Sequence, residues 1–296
     1  MNLQSMLLLL AMVMCYTLQG ALSKVFSIHY QGPALAATPV FASISGSICA
    51  LATLWLTRFA YSPSNFTLWM GIANGVVLFL YNVAAVNAAR TGPYSLQSLI
   101  ATLGNILLPL LASILLWQEK LGLLHYAGIA IMLLAAAMFN IRGLRAQNAE
   151  KGYAGWVIML MVANGLFGIL MSNQQRIMVF TQRTDMIITT YATSSMISAL
   201  FLLVTQGWKT PDAYRMGKVS ALALLVSSIG TATAVNLMMQ ALRLISTPVL
   251  YTITNGGVLV MAVLLGSVVW KEKFTANKAI GLVLAVTAFI LLGQAM

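Results

Sequence analysis

A chain of 296 residues that is 60% apolar and only 7% charged is not a water-soluble domain, because ordinary globular domains run near 45–50% apolar and about 25% charged. The net charge of +11, from 16 Lys and Arg against 5 Asp and Glu, would suggest nucleic acid in a soluble protein. Here the basic residues stand singly between apolar runs, the pattern by which membrane proteins set their orientation.

At about 20 residues per span with short connections, this length allows about ten or eleven spans and no soluble domain. The first apolar run, at about 4–23, follows an N-terminus with no positive region, so it reads as a first span rather than a cleaved signal. Further runs fall at about 34–57, 66–89, 94–117 and 124–141, then at about 155–175, 186–206, 217–240, 248–270 and 276–295. Only helices satisfy their own backbone in lipid at such lengths, which predicts ten transmembrane helices. The longest hydrophilic stretch, Arg142 to Tyr153, carries Arg142, Arg145, Glu150 and Lys151. It divides the chain into a half at 1–142, a linker at 143–153 and a half at 154–296.

The halves repeat. A shift of 153 residues places Trp117-Gln118-Glu119-Lys120 on Trp270-Lys271-Glu272-Lys273, Arg90 on Arg243, Gly104 on Gly257 and Gly128 on Gly281. Across 87–140 against 240–293 this gives 10 identities in 54 positions. Five spans per half make the second half cross in the opposite sense, an arrangement typical of transporters with a site between the repeats. With its paired Trp-x-Glu-Lys loops, each followed by a Gly nine residues after the Glu, the chain resembles the drug/metabolite transporter superfamily, and within it the bacterial EamA-like branch. The resemblance implies an all-α fold of two inverted five-helix repeats in a bacterial inner membrane. It also implies export of metabolites such as amino acids, amines or nucleotide sugars, and cytoplasmic termini. The charge count implies the reverse orientation: odd-numbered connections carry 11 basic residues and even-numbered ones 5, which by the positive-inside rule puts the termini outside.

Catalysis has little material. His29 falls in the first connection, His125 opens the fifth helix, and Glu119, Glu150, Asp185, Asp212 and Glu272 lie at loops or helix ends. No acid–base pair, metal cluster or triad converges, so neither an enzyme nor a metal or cofactor is expected. Cys15 and Cys49 lie within apolar runs and read as small buried hydrophobes. No span centre holds a carboxylate or histidine. The first helix offers Tyr16 and Gln19 where small multidrug members of the superfamily carry a glutamate, which argues against a carboxylate-gated antiporter.

The mid-span residues are uncharged and polar. Asn74, Tyr81, Asn82 and Asn87 lie on the third helix, Gln97, Ser98, Thr102 and Asn105 on the fourth, and Asn164 on the sixth. Tyr191, Ser194, Ser195 and Ser198 lie on the seventh, Thr231, Thr233 and Asn236 on the eighth, and Tyr251, Thr252, Thr254 and Asn255 on the ninth. Such groups also tie helices together through hydrogen bonds of about 0.6 kcal/mol. Asn105 and Asn255 are the foremost candidates for solute contact. Pro109 removes the donor to the Asn105 carbonyl, and Gly256 and Gly257 are expected to loosen the ninth helix at a comparable depth. The candidate substrate-binding set is therefore Tyr16, Gln19, Asn74, Tyr81, Asn82, Asn105, Asn164, Tyr191, Asn236, Tyr251 and Asn255.

Trp55, Trp69, Trp117, Trp156, Trp208 and Trp270 mark span ends as an interfacial belt. The Trp-x-Glu-Lys loops read as anchors with local ion pairing. Arg90 and Arg243 read as helix-end cations, and as the spare cations if the solute is anionic. The fifth and tenth helices, nearly free of polar groups, are expected at the lipid-facing periphery, where a homodimer could form although nothing demands one. The expected partners are lipid and a small solute, with no nucleic acid. A neutral or zwitterionic solute such as an amino acid suits an uncharged lining. An organic cation held by tyrosine faces, or a receptor or assembly subunit that transports nothing, are the alternatives.

Overall fold

The computed structural model describes residues 3–33, 36–91, 94–144, 152–178, 181–206, 210–269 and 275–295. Within these, the side chains of 3, 89, 90, 94–99, 140–144, 210, 212, 266 and 295 lie outside the description. The described chain is all helix: α1 Leu3–His29, α2 Ala37–Leu56, α3 Asn65–Thr91, α4 Tyr94–Leu115, α5 Leu123–Leu144 and α6 Tyr153–Ile177. There follow α7 Arg183–Gln206, the single turn α8 Thr210–Ala213, α9 Lys218–Ala241, α10 Thr247–Val268 and α11 Ala276–Ala295. Eight of these contain described stretches long and apolar enough to cross a membrane, and α4 and α5 contribute shorter apolar stretches, Ile100–Leu115 and Leu123–Phe139. The outer surface carries Leu10, Trp55, Trp69, Leu115, Val204 and Val283 exposed to the surroundings. A continuous apolar exterior on this scale requires lipid, and the protein is a multi-pass helical membrane protein.

Local chemistry explains the helix ends. Ser64 precedes α3 and its Oγ accepts from the Thr67 backbone N–H at 3.2 Å, an N-cap. Pro248 sits in the first turn of α10, where its missing N–H costs nothing. His29, expected in the first connection, instead lies in the last turn of α1, a helix that also takes in Lys24 beyond the predicted end of the first span near 23. The helix runs on because Phe26, only 2% exposed, packs with Leu202, Ala213 and Ala223 in a second cluster beyond the main core. The α8 turn, not expected from the sequence, completes this cluster. There Tyr30 donates its hydroxyl to the Ala213 carbonyl. Burial, and then neighbouring Tyr214, raises the Tyr30 phenol above its ordinary pKa and keeps that donor protonated.

The helices pair across the two halves. α1 packs on α9 and α3 on α6; α2 packs on α9 and α3 on α7; α1 packs on α10 and α4 on α6. α2 with α7, α4 with α10 and α5 with α11 complete the set of principal cross-half pairs. α5 and α11 stand together at one edge. A β-carbon on Gly128 of α5 would fall 2.7 Å from Leu292 Cγ of α11, and one on Gly281 of α11 would fall 2.8 Å from the Phe139 ring of α5. Both positions need glycine, and the rising number on one helix against the falling number on the other makes the pair antiparallel.

Candidate functional site

The core is one apolar cluster into which several of the candidate residues fall. Tyr16, Tyr191 and Tyr251 belong to it, together with Cys49, Met12, Met238 and Met239. Tyr16 donates to Met238 Sδ at 3.6 Å, and Tyr251 donates to the Gly168 carbonyl at 3.1 Å. A β-carbon on Gly168 would stand 3.0 Å from the Tyr251 ring, so the glycine lets the phenol approach α6 closely.

Asn105 and Asn255 meet each other. Asn105 Nδ2 donates to Asn255 Oδ1 at 2.9 Å, and Asn255 Nδ2 donates to the Tyr251 carbonyl at 2.7 Å. This bridge joins α4 and α10 about halfway along α4, one turn before Pro109. Asn105 Oδ1 is buried and without a partner. α10 is helical throughout at Gly256 and Gly257, contrary to the expected loosening. The two glycines give room instead to Met132 of α5 and Val13 of α1, which their β-carbons would strike.

The other candidates divide by what holds them. Asn164 Nδ2 donates to the Ala101 carbonyl at 2.8 Å, one turn from Asn105 along α4. Asn236 Nδ2 donates to Thr53 Oγ1 at 3.1 Å and to the Ala232 carbonyl at 2.8 Å, tying α9 to α2. Asn87 bonds back to the Val83 carbonyl within α3. Asn74 is 0% exposed, and neither its Nδ2 nor its Oδ1 has a partner. Gln19 is half-buried one turn beyond Tyr16, while Tyr81 and Asn82 are half-buried on the later turns of α3. Gln97 and Ser98 have side chains outside the described residues. Ser195 reaches α2, donating to the Ser43 carbonyl at 2.5 Å with Ser47 Oγ at 2.7 Å.

Glu119 of the first Trp-x-Glu-Lys loop pairs with Arg176 at the end of α6, not with its neighbour Lys120 as local pairing would have it. The same guanidinium lies 4.4 Å from the centroid of the Trp117 ring. The loop therefore grips the opposite half, with ion pair and cation–π contact on one arginine. Gln118 between them takes φ 50, the left-handed turn that lets both neighbours face Arg176. Arg176 escaped the sequence reading, and the polar run Gln174-Gln175-Arg176 closing the sixth span was its signal. Trp270 to Lys273, the second such loop, Glu150 in the linker and the side chain of Arg90 lie outside the described residues. Asp185, in the first turn of α7, is buried. Among the described residues no three His, Cys, Asp or Glu side chains gather as a metal site would require.

No family model matches the sequence, and no curated protein does. Several solved structures match; one of them, a protein crystal structure, does so with a TM-score of 0.75 at 17% identity, over 98% of this chain and 99% of that one. At that identity the likeness is one of fold, and it spans both chains end to end.

Proposed function

We propose that the protein is a secondary carrier of a small polar metabolite, an amino acid or a related zwitterionic or neutral solute, working by alternating access as an exporter or exchanger. It is read as a member of the drug/metabolite transporter superfamily in a bacterial inner membrane, with no enzymatic activity. The observation that carries this reading is the Asn105–Asn255 bridge. Two candidate residues from opposite halves share a hydrogen bond one turn before the proline inside α4, and one carboxamide oxygen remains buried without a donor. A carrier seen with its centre closed needs polar groups that hold the halves together in the absence of solute and exchange that bond for the solute when it binds.

An inverted repeat is supported by the pairing of the helices. Exchanging the first five long helices for the second five turns the α1–α9 pair into the α6–α3 pair, α2–α9 into α7–α3 and α1–α10 into α6–α4. It returns α2–α7, α4–α10 and α5–α11 to themselves. The 153-residue shift that carries Gly128 to Gly281 also carries Phe139 to Leu292, so the two glycine contacts are copies of one another. The gathering of Tyr16, Tyr191 and Tyr251 favours a second reading, an organic-cation carrier with a tyrosine-lined site.

Counterflow into liposomes loaded with amino acids, amines, nucleosides or organic acids tests both. Amino-acid flux is expected, and Asn105→Ala and Asn255→Ala should each lower it at least tenfold. Flux of amines alone would select the tyrosine site, and wild-type kinetics in both variants would remove the Asn pair from the site. A chain that moves nothing across the panel would be a receptor or assembly subunit.

A further inference from the structure

A cleft of about 270 Å³ opens where the end of α6 meets the turn between α9 and α10. Its polar lining is Ser172, Gln175 and Arg176 from α6 and Arg243, Ser246 and Thr247 from the turn and the start of α10. Two of the five basic residues assigned to this side of the chain thus border one small space. The volume lies just below the range for drug-sized ligands, and suits a solute of a few heavy atoms.

The donors come from three directions. Arg176 is held by Glu119 and Trp117, and its Nη2 stands 3.4 Å from Thr247 Oγ1, so the planar guanidinium is already oriented. Arg243 lines the cleft from the turn. Ser246 caps α10 without a side-chain bond to the first turn, and the positive end of that helix therefore meets the cleft. Gln175 lines the same space. Gln175 is 1% exposed, and its Nε2 is engaged with Met239 Sδ at 3.4 Å. Its Oε1 is buried with no donor, a condition that native structures relieve with water or a ligand.

We propose that this cleft recognises an amino-acid-like zwitterion, the carboxylate set against Arg243, Arg176 and the first turn of α10, and the ammonium donating to Gln175 Oε1. The solute class rests on the carrier reading; the existence of the site does not. Ser172 lies four residues beyond Gly168, and Thr247 four residues before Tyr251, about 6 Å along each helix. The hydrogen bond between Tyr251 and the Gly168 carbonyl therefore lies about one helical turn from the cleft's lining, on the side of the Asn105–Asn255 bridge.

The test is thermal unfolding of the full-length protein in lipid-depleted detergent with glycine, L-alanine, L-serine or L-threonine, against propionate, ethylamine and phosphatidylglycerol. At least one amino acid is expected to raise Tm in a saturable way, with propionate and ethylamine needing at least tenfold higher concentration. Arg243→Gln should raise the half-saturating concentration at least tenfold, and Arg243→Lys should recover part of it. Gln175→Leu should erase the advantage of the amino acid over propionate. This variant carries the readout if Arg243→Gln does not fold. Silence from all four amino acids, propionate binding as well as L-alanine, or a response to phosphatidylglycerol alone would each overturn the proposal, the last in favour of a lipid headgroup. Binding without flux would keep the site and remove the carrier. Flux with an unchanged KM in Arg243→Gln would do the opposite.

Discussion

Asn74 is the residue whose position costs the most with least visible return. A fully buried carboxamide with neither end paired forfeits about 1–3 kcal/mol for each polar group left unsatisfied. Replacement by leucine, branched at the same carbon, removes that cost. Asn74→Leu is therefore expected to raise the melting temperature in detergent while lowering solute flux, the split that marks a polar group kept for function. A rise in both would assign Asn74 to the scaffold. Asn164 and Asn236 should behave in the ordinary way. Their interhelical bonds are each worth about 0.6 kcal/mol, so truncation to alanine costs little stability.

At the level of the helix, the extents of the spans were readable from the sequence because lipid imposes one requirement, a long apolar run that closes its own hydrogen bonds. The Gly256-Gly257 pair shows where that reading stops. Composition says that glycine weakens a helix, but only the packing reveals that Met132 and Val13 occupy the space its missing side chain leaves. The continuation of α1 past Lys24 has the same origin, since Phe26 finds a buried site that no hydropathy pattern announces. The α5–α11 pair gives a test at this scale. Gly128→Leu and Gly281→Leu each force a large side chain into a gap under 3 Å, and each should destabilise by about 1–3 kcal/mol in denaturant titration. The two effects should be similar in size; a large asymmetry would argue against equivalent contacts.

For the whole molecule, the proposed ten crossings by the long helices among the described residues would place residues 4 and 294 on one face of the membrane, whichever face that is. Single cysteines introduced near residues 4 and 294, in a background lacking Cys15 and Cys49, should react with an impermeant thiol reagent from the same side. Labelling from opposite sides would mean that one helix does not cross. The candidate site was legible only as an inventory. The sequence supplies the polar residues that could face inward, and Tyr16, Tyr191, Tyr251 and the Asn105–Asn255 pair do converge, while Tyr81 stays apart from that core cluster. Nothing local in the chain, however, distinguishes Asn255, bonded to the facing helix, from Asn87, bonded to its own. Arg176 shows the same limit, because its partners Glu119 and Trp117 lie more than fifty residues away and on the other half.

The reciprocal glycine contact at the α5–α11 edge bears on how such a protein could be divided. Each half presents one notch and one bulky residue to fill a notch, so neither half buries its own edge without a complement. Cut within the connecting segment, the two pieces would retain matching ends, and co-expressed fragments are expected to reassemble into a working protein where each alone is degraded. By the same logic, a single five-helix piece carrying both features could pair with its own duplicate, a route by which one short ancestral gene yields a two-part machine.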